Sequence, residues 1–197
     1  MTQTVRTLLK LGAVSAALML AACGSPDRQS PSLDLPLTAP SGASGIVADF
    51  IEVCSLSMID QPAAIRALSE RGWQAPSPEN MQQMAALGGG FASEGENGEQ
   101  MQIFSIDYPH VEGVSCQLTS TFVDATPDFS PVAQIPGLLG DFTTYGDGRE
   151  QGQLGRFSGI GPDGRPVILQ VLSTGDIFFN LSMTTTRPVT PSDPNQE

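Results

Sequence analysis

The chain reads as an α+β domain in which two or three N-terminal helices pack on a largely antiparallel sheet of about five strands. Apolar residues recur at helical spacing through residues 46–68 and switch to alternation beyond residue 100. Glycine- and proline-bearing turns then punctuate the second half at the intervals expected of a strand meander. Two cysteines, Cys54 and Cys116, fall one in each half, each at a position the periodicity turns inward.

The first helix is carried by Ile46, Val47, Phe50, Ile51, Cys54 and Met58, which share one face. Asp60 suits an N-cap, Pro62 suits the first turn, and Ala64, Ile65 and Leu68 form the buried stripe of a second helix that Gly72 stops. Trp73, the single tryptophan, follows at once and is expected to pack over the helix ends. Ser77-Pro78-Glu79, with Met81, Met84 and Leu87 inward, signals a shorter third helix ending at Gly88-Gly89-Gly90. Residues 94–100 read as a loop. Residues 100–108 and 113–123 read as strands joined by a turn over residues 109–112, with Val114, Cys116, Leu118 and Phe122 on one face. Residues 126–142 hold three prolines and read as a connection with one helical turn at residues 131–134. Residues 151–160, 166–173 and 177–184 read as three antiparallel strands, the middle one apolar on both faces as if packed under helices. Residues 187–197 read as a disordered tail, which sets the globular domain at residues 45–186.

The N-terminus carries a different signal. Arg6 and Lys10 precede an apolar run over residues 11–20, and the small residues Ala21 and Ala22 close it, the pattern of an export signal. The run is too short for a comfortable membrane span. Leu20-Ala21-Ala22-Cys23 resembles the lipobox of bacterial lipoproteins. That resemblance implies a signal peptide over residues 1–22, a diacylglyceryl thioether on Cys23, and acylation, for example by palmitate, of the new amino terminus. Two or three chains at about 0.8 kcal/mol per buried methylene hold a protein stably on a bilayer. In enterobacterial sorting an Asp after the lipidated Cys retains the protein on the inner membrane; Gly24-Ser25 stands here instead, which implies the periplasmic face of the outer membrane. Residues 23–44, rich in Pro, Ser, Ala and Gly, then read as a flexible stalk with a reach on the order of 60 Å.

In such an oxidising compartment the even pair Cys54 and Cys116 is expected to form a disulfide. Closing a 62-residue loop constrains the unfolded chain by roughly 4 kcal/mol on the loop-entropy model. Beyond the leader, seven arginines and no lysine stand against 21 acidic residues. This balance disfavours nucleic acid and anionic headgroups as direct partners.

The residues for chemistry are sparse. There is no G-x-S-x-G elbow, Walker loop, dinucleotide-binding turn or H-E-x-x-H. A triad would have to use His110, the only histidine, which falls in a turn. Neither a C-x-x-C nor a second histidine is present for zinc, so no metal and no cofactor is expected. Asp107, Glu112, Asp124, Asp128, Asp141 and Asp147 are candidates for a carboxylate pair, with nothing to select two of them. Tyr145 and Arg149 sit in a polar run that could face a ligand. The inward Cys of the first helix, the Gly72-Trp73 step and the strand cysteine, over residues 50–117, resemble small exported domains of proteobacteria, a likeness that carries no activity.

The expectation is therefore a non-enzymatic envelope lipoprotein, anchored through Cys23, with an assembly, structural or protein-binding role. The alternatives are a periplasmic module for a small molecule or cationic ligand, which would need a roomy pocket beside Trp73, or an unrecognised hydrolase. An exposed apolar patch on the free sheet face would favour the first.

Overall fold

The computed structural model describes residues 32–78, 90–121, 126–147, 151–175 and 177–189, all within one compact unit, Pro31–Glu197. Two helices come first. Helix α1, Gly45–Ser57, buries Val47, Phe50, Ile51 and Cys54 of the face that the spacing predicts, and Val53 besides, while Ile46 is half-buried. Asp60 separates it from α2, Gln61–Glu70, accepting the Ala63 N–H at 2.9 Å as a side-chain N-cap with proline in the first turn. Gly72 ends α2 at φ 87°, a left-handed conformation that a side chain would strain. There the Trp73 N–H reaches the Leu68 carbonyl and the Gly72 N–H reaches that of Ser69, the paired bonds of a Schellman stop.

The rest is one seven-stranded sheet, not five strands. Its strands are β1 (Phe91–Glu94), β2 (Gln100–Tyr108), β3 (Val111–Thr121), β4 (Leu139–Tyr145), β5 (Gly152–Ile160), β6 (Pro166–Thr174) and β7 (Phe178–Pro188). Every pairing is antiparallel, and the spatial order is β1-β2-β3-β7-β6-β5-β4. Strand therefore dominates, and the expectation of helices balanced against a smaller sheet is corrected. The third helix expected from Ser77-Pro78-Glu79 falls almost wholly outside the described residues.

The two strands that the pattern does not reveal, β1 and β4, are the two edges of the sheet. The first has only four residues. In β4, six of seven residues are exposed, so no alternation of buried and solvated positions is written into it. Glycine and aromatic residues hold β4 in place: Phe142 lies over its register partner Gly155, packs edge-on to Phe157 at 5.1 Å, and leaves no room for a Cβ at Gly155. Tyr145 covers Gly152 in the same way.

Three further boundaries move. The β2–β3 turn has two residues, Pro109 and His110, because Tyr108 pairs with Val111 and Asp107 with Glu112. Strand β7 does not stop at residue 184; Thr185 to Pro188 pair with the early residues of β3, and the Val189 N–H reaches the His110 carbonyl. The described part of the expected stalk is docked. Leu33 and Leu37 are buried, the Leu33 N–H bonds the Ile160 carbonyl at 2.7 Å, and the Leu37 N–H bonds Ser55 Oγ at 2.8 Å.

One sheet face carries the core. Met101, Ile103, Cys116, Leu118, Phe157, Leu169, Val171, Leu181 and Met183 are buried against α1, Leu33, Leu37 and the 3-10 turn Ser130–Gln134 with its flanking Phe129, Ile135 and Leu138. The other face of β6 is not under helices as expected: Ile168 and Leu172 are 44% and 38% exposed. Cys54 and Cys116, both fully buried, form the disulfide, with a Cα–Cα separation of 5.3 Å, and bind α1 to β3. Replacing both cysteines by alanine should lower the unfolding free energy by about 2–4 kcal/mol, read as a drop in the urea midpoint relative to the oxidised parent.

Candidate functional site

Two surface regions merit a functional reading: a cleft beside Trp73 and the outer face of the β4–β7 half of the sheet. The cleft begins on α1, where Asp49 and Glu52, three residues apart, share the polar side of the helix. Arg71 lies just past the end of α2 and bridges them, at 2.6 Å to Asp49 Oδ1 and 2.6 Å to Glu52 Oε2. The remaining Asp49 oxygen accepts Trp73 Nε1–H at 2.9 Å, and Glu52 Oε1 accepts the Ala39 N–H at 3.2 Å. Across the cleft, the β1–β2 loop folds on itself. The buried Glu99 carboxylate accepts the Asn97 N–H and side-chain amide at 3.0 and 3.1 Å, and Gly95 sits close enough to Glu99 and the Trp73 ring that a side chain there would collide.

The space between is about 200 Å³, lined by Asp49, Arg71, Trp73, Glu96, Asn97 and Glu99 among others. That is below the 300–1,000 Å³ usual for ligand pockets. The hydrogen bond from Arg71 holds the Glu52 carboxyl below its ordinary value, against an opposing push from burial, with the Ala39 N–H adding to the lowering. Burial pulls the Arg71 guanidinium down, and its bonds to Glu52 and Asp49 outweigh that, so it ends raised. The chemistry here is a closed ion-pair and hydrogen-bond network that seats Trp73, which is 7% exposed, against the helices. It contains no nucleophile paired with a base.

Of the nominated catalytic residues the structure sets one carboxylate pair, Asp107 and Glu112, side by side across the β2–β3 register. His110 is exposed in the β2–β3 turn. Asp107 and Glu112 are register neighbours at that end of the sheet, where Glu112 is engaged by Arg187. Asp128 is exposed and accepts the Ser130 N–H and hydroxyl at the start of the 3-10 turn. Asp141 pairs in register with Arg156, and Asp147 is exposed after β4. Tyr145 donates its hydroxyl to the Ser173 carbonyl. Asp124, Arg149 and the lipidation candidate Cys23 lie outside the described residues. Among the described residues no group of three or more His, Cys, Asp or Glu could hold a metal, and no helix is long and apolar enough to cross a membrane.

The outer sheet face has a different character. Register places Leu139, Ser158, Ile168 and Thr184 in one row, Asp141, Arg156, Gln170 and Ser182 in the next, and Thr143, Leu154, Leu172 and Asn180 in a third. Among these twelve positions the only charges are Asp141 and Arg156, and Leu139, Ile168 and Leu172 stand exposed. The Asp49–Arg71–Trp73 network was invisible to sequence reasoning except in the i, i+3 spacing of Asp49 and Glu52, because the loop closures that join its members have no periodic signature.

No protein-family model, no curated protein and no solved structure matches the chain.

The depressed Glu52 carboxyl gives the network a pH signature. A carboxylate held below its unfolded value of 4.5 adds stability above that pH, and the contribution vanishes as pH falls through the folded value. Glu52→Gln should therefore cost about 1 kcal/mol at pH 7 and progressively less below pH 4.5, measured by urea unfolding of parent and variant across pH 3–7.

Proposed function

We propose that this chain is a lipid-tethered envelope lipoprotein whose globule is a non-enzymatic platform for binding another protein. The observation that carries the reading is the outer face of β4–β6, where Leu139, Ile168 and Leu172 are exposed among residues that are polar and, apart from Asp141 and Arg156, uncharged, beside a sheet edge that no described strand covers. Apolar side chains among mostly neutral polar groups suit burial against a partner. A small-cation role for the cleft is weaker, since Arg71 already occupies Asp49 and Glu52.

The anchor in this proposal is the acylated Cys23, on the periplasmic face of the outer membrane. With radiolabelled palmitate, wild type should incorporate label and sediment with membranes, whereas Cys23→Ala should carry none and appear in osmotic-shock fluid. Label-free wild type in that fluid would refute the tether. The platform is tested by crosslinked capture from envelopes with wild type, Ile168→Arg and Leu172→Arg. Both substitutions sit at exposed positions and should leave the fold intact within about 0.5 kcal/mol. Loss of the same crosslinked species in both variants is the expected result; an unchanged set of species would overturn the assignment of this face.

A further inference from the structure

The two edges of the sheet are treated differently. The outer edge of β1 is short and is closed by Gln74, whose N–H and carbonyl bond Glu94 at 2.9 and 2.8 Å while Ser93 Oγ donates to the same carbonyl. The β4 edge is seven residues long, Leu139-Gly140-Asp141-Phe142-Thr143-Thr144-Tyr145. It contains no lysine, no proline and no inward-pointing charge, the devices by which exposed strand edges are protected against pairing. Among the described residues no strand pairs with its far side.

We propose that this edge pairs with β4 of a second copy of the chain, joining two sheets antiparallel about a two-fold axis; the inference rests on the protein-binding reading above and names its partner. The sequence of β4 is self-complementary in the one register that overlaps all seven residues, centred on Phe142. Leu139 then meets Tyr145 of the second copy on the outer face, covering two side chains that are 59% and 38% exposed. Asp141, the only charge on the strand, meets Thr143 of the second copy and keeps Arg156 as its neighbour in its own sheet. A slip toward the start of the strand would set Asp141 against itself, and a slip the other way would lose two pairs and leave Leu139 uncovered. Like charges directly opposite one another destabilise a strand pair, so charge as well as overlap selects this register. Such an isologous contact closes on itself and stops at two copies. The net charge of −12 on each chain opposes approach only within a Debye length of about 8 Å at physiological salt.

The test uses the full chain with Cys23→Ala, so that acyl chains cannot drive association, in sedimentation velocity from about 10 μM to 1 mM. An interface this small should give a reversible dimer with a Kd on the order of 10–100 μM. Thr143→Lys sets a lysine opposite Asp141 twice per dimer and should tighten it about fivefold. Thr143→Asp should weaken it by a similar factor, and Thr143→Asp combined with Asp141→Asn, which removes the repulsion across the axis, should restore it. Position 143 is exposed, and an unchanged near-ultraviolet signal from Trp73 checks that each variant is folded. A monomer at 1 mM overturns the proposal, as does a dimer indifferent to the charge at residue 143. If the chain is monomeric while Leu172→Arg still abolishes envelope capture, self-pairing is refuted and the platform reading survives.

Discussion

The pairing of β3 with β7 is the contact on which the rest of the molecule depends. One strand closes the meander β1-β2-β3 and the other closes β4-β5-β6-β7, and each is eleven residues long. Their full-length alignment turns two small sheets into one, wide enough for α1, Leu33, Leu37 and the Phe129–Leu138 segment to share a single apolar face. The Cys54–Cys116 bridge sits on this seam, since Cys116 pairs in register with Met183 of β7. Pinning α1 at the centre of the sheet also fixes its rotation, which leaves Asp49 and Glu52 at the periphery where Arg71 can reach both.

A sheet covered on one side has three boundaries to manage: two edges and an open face. Here one edge is closed by Gln74 and the other is left with its backbone groups unpaired among the described residues. The open face meets that free edge. Exposed apolar residues, mostly neutral polar neighbours and an uncovered strand thus coincide on β4–β6, whereas Asp49, Glu52 and Glu99 near Trp73 are drawn into local bonds. That separation is why the sheet, and not the cleft, is the better candidate for recognition.

Electrostatics reinforces the division. Arg71, Arg165 and Arg187 are each engaged by carboxylates, so these cations are neutralised where they stand and the long-range field is set by the acidic excess. Attachment to a bilayer would then depend on acyl chains, as the proposed tether supplies, and not on the globule's surface.

The helices were legible because their signals are local: one apolar face from Ile46 to Met58, Asp60 before Pro62, Gly72 after Leu68. The central strands were legible because their apolar residues, Val167, Leu169 and Val171 among them, lie between strong turn signals. Edges carry neither kind of mark. In β4 nearly every side chain meets solvent, and Gly140 and the acidic Asp141 read as loop, so only the partner β5 defines it as a strand. The same limit applied to the cleft, whose members are brought together by loop closure between positions as far apart as Asp49 and Glu99. By itself the chain determined the two helices, five of the strands, the inward cysteines and the absence of catalytic motifs, all properties of short windows under hydrophobic periodicity and turn chemistry. Only the tertiary structure decided the seven-stranded order, the capped and uncapped edges and the Arg71 network, because hydrogen-bond partners and solvent exposure depend on which distant segments come to lie side by side.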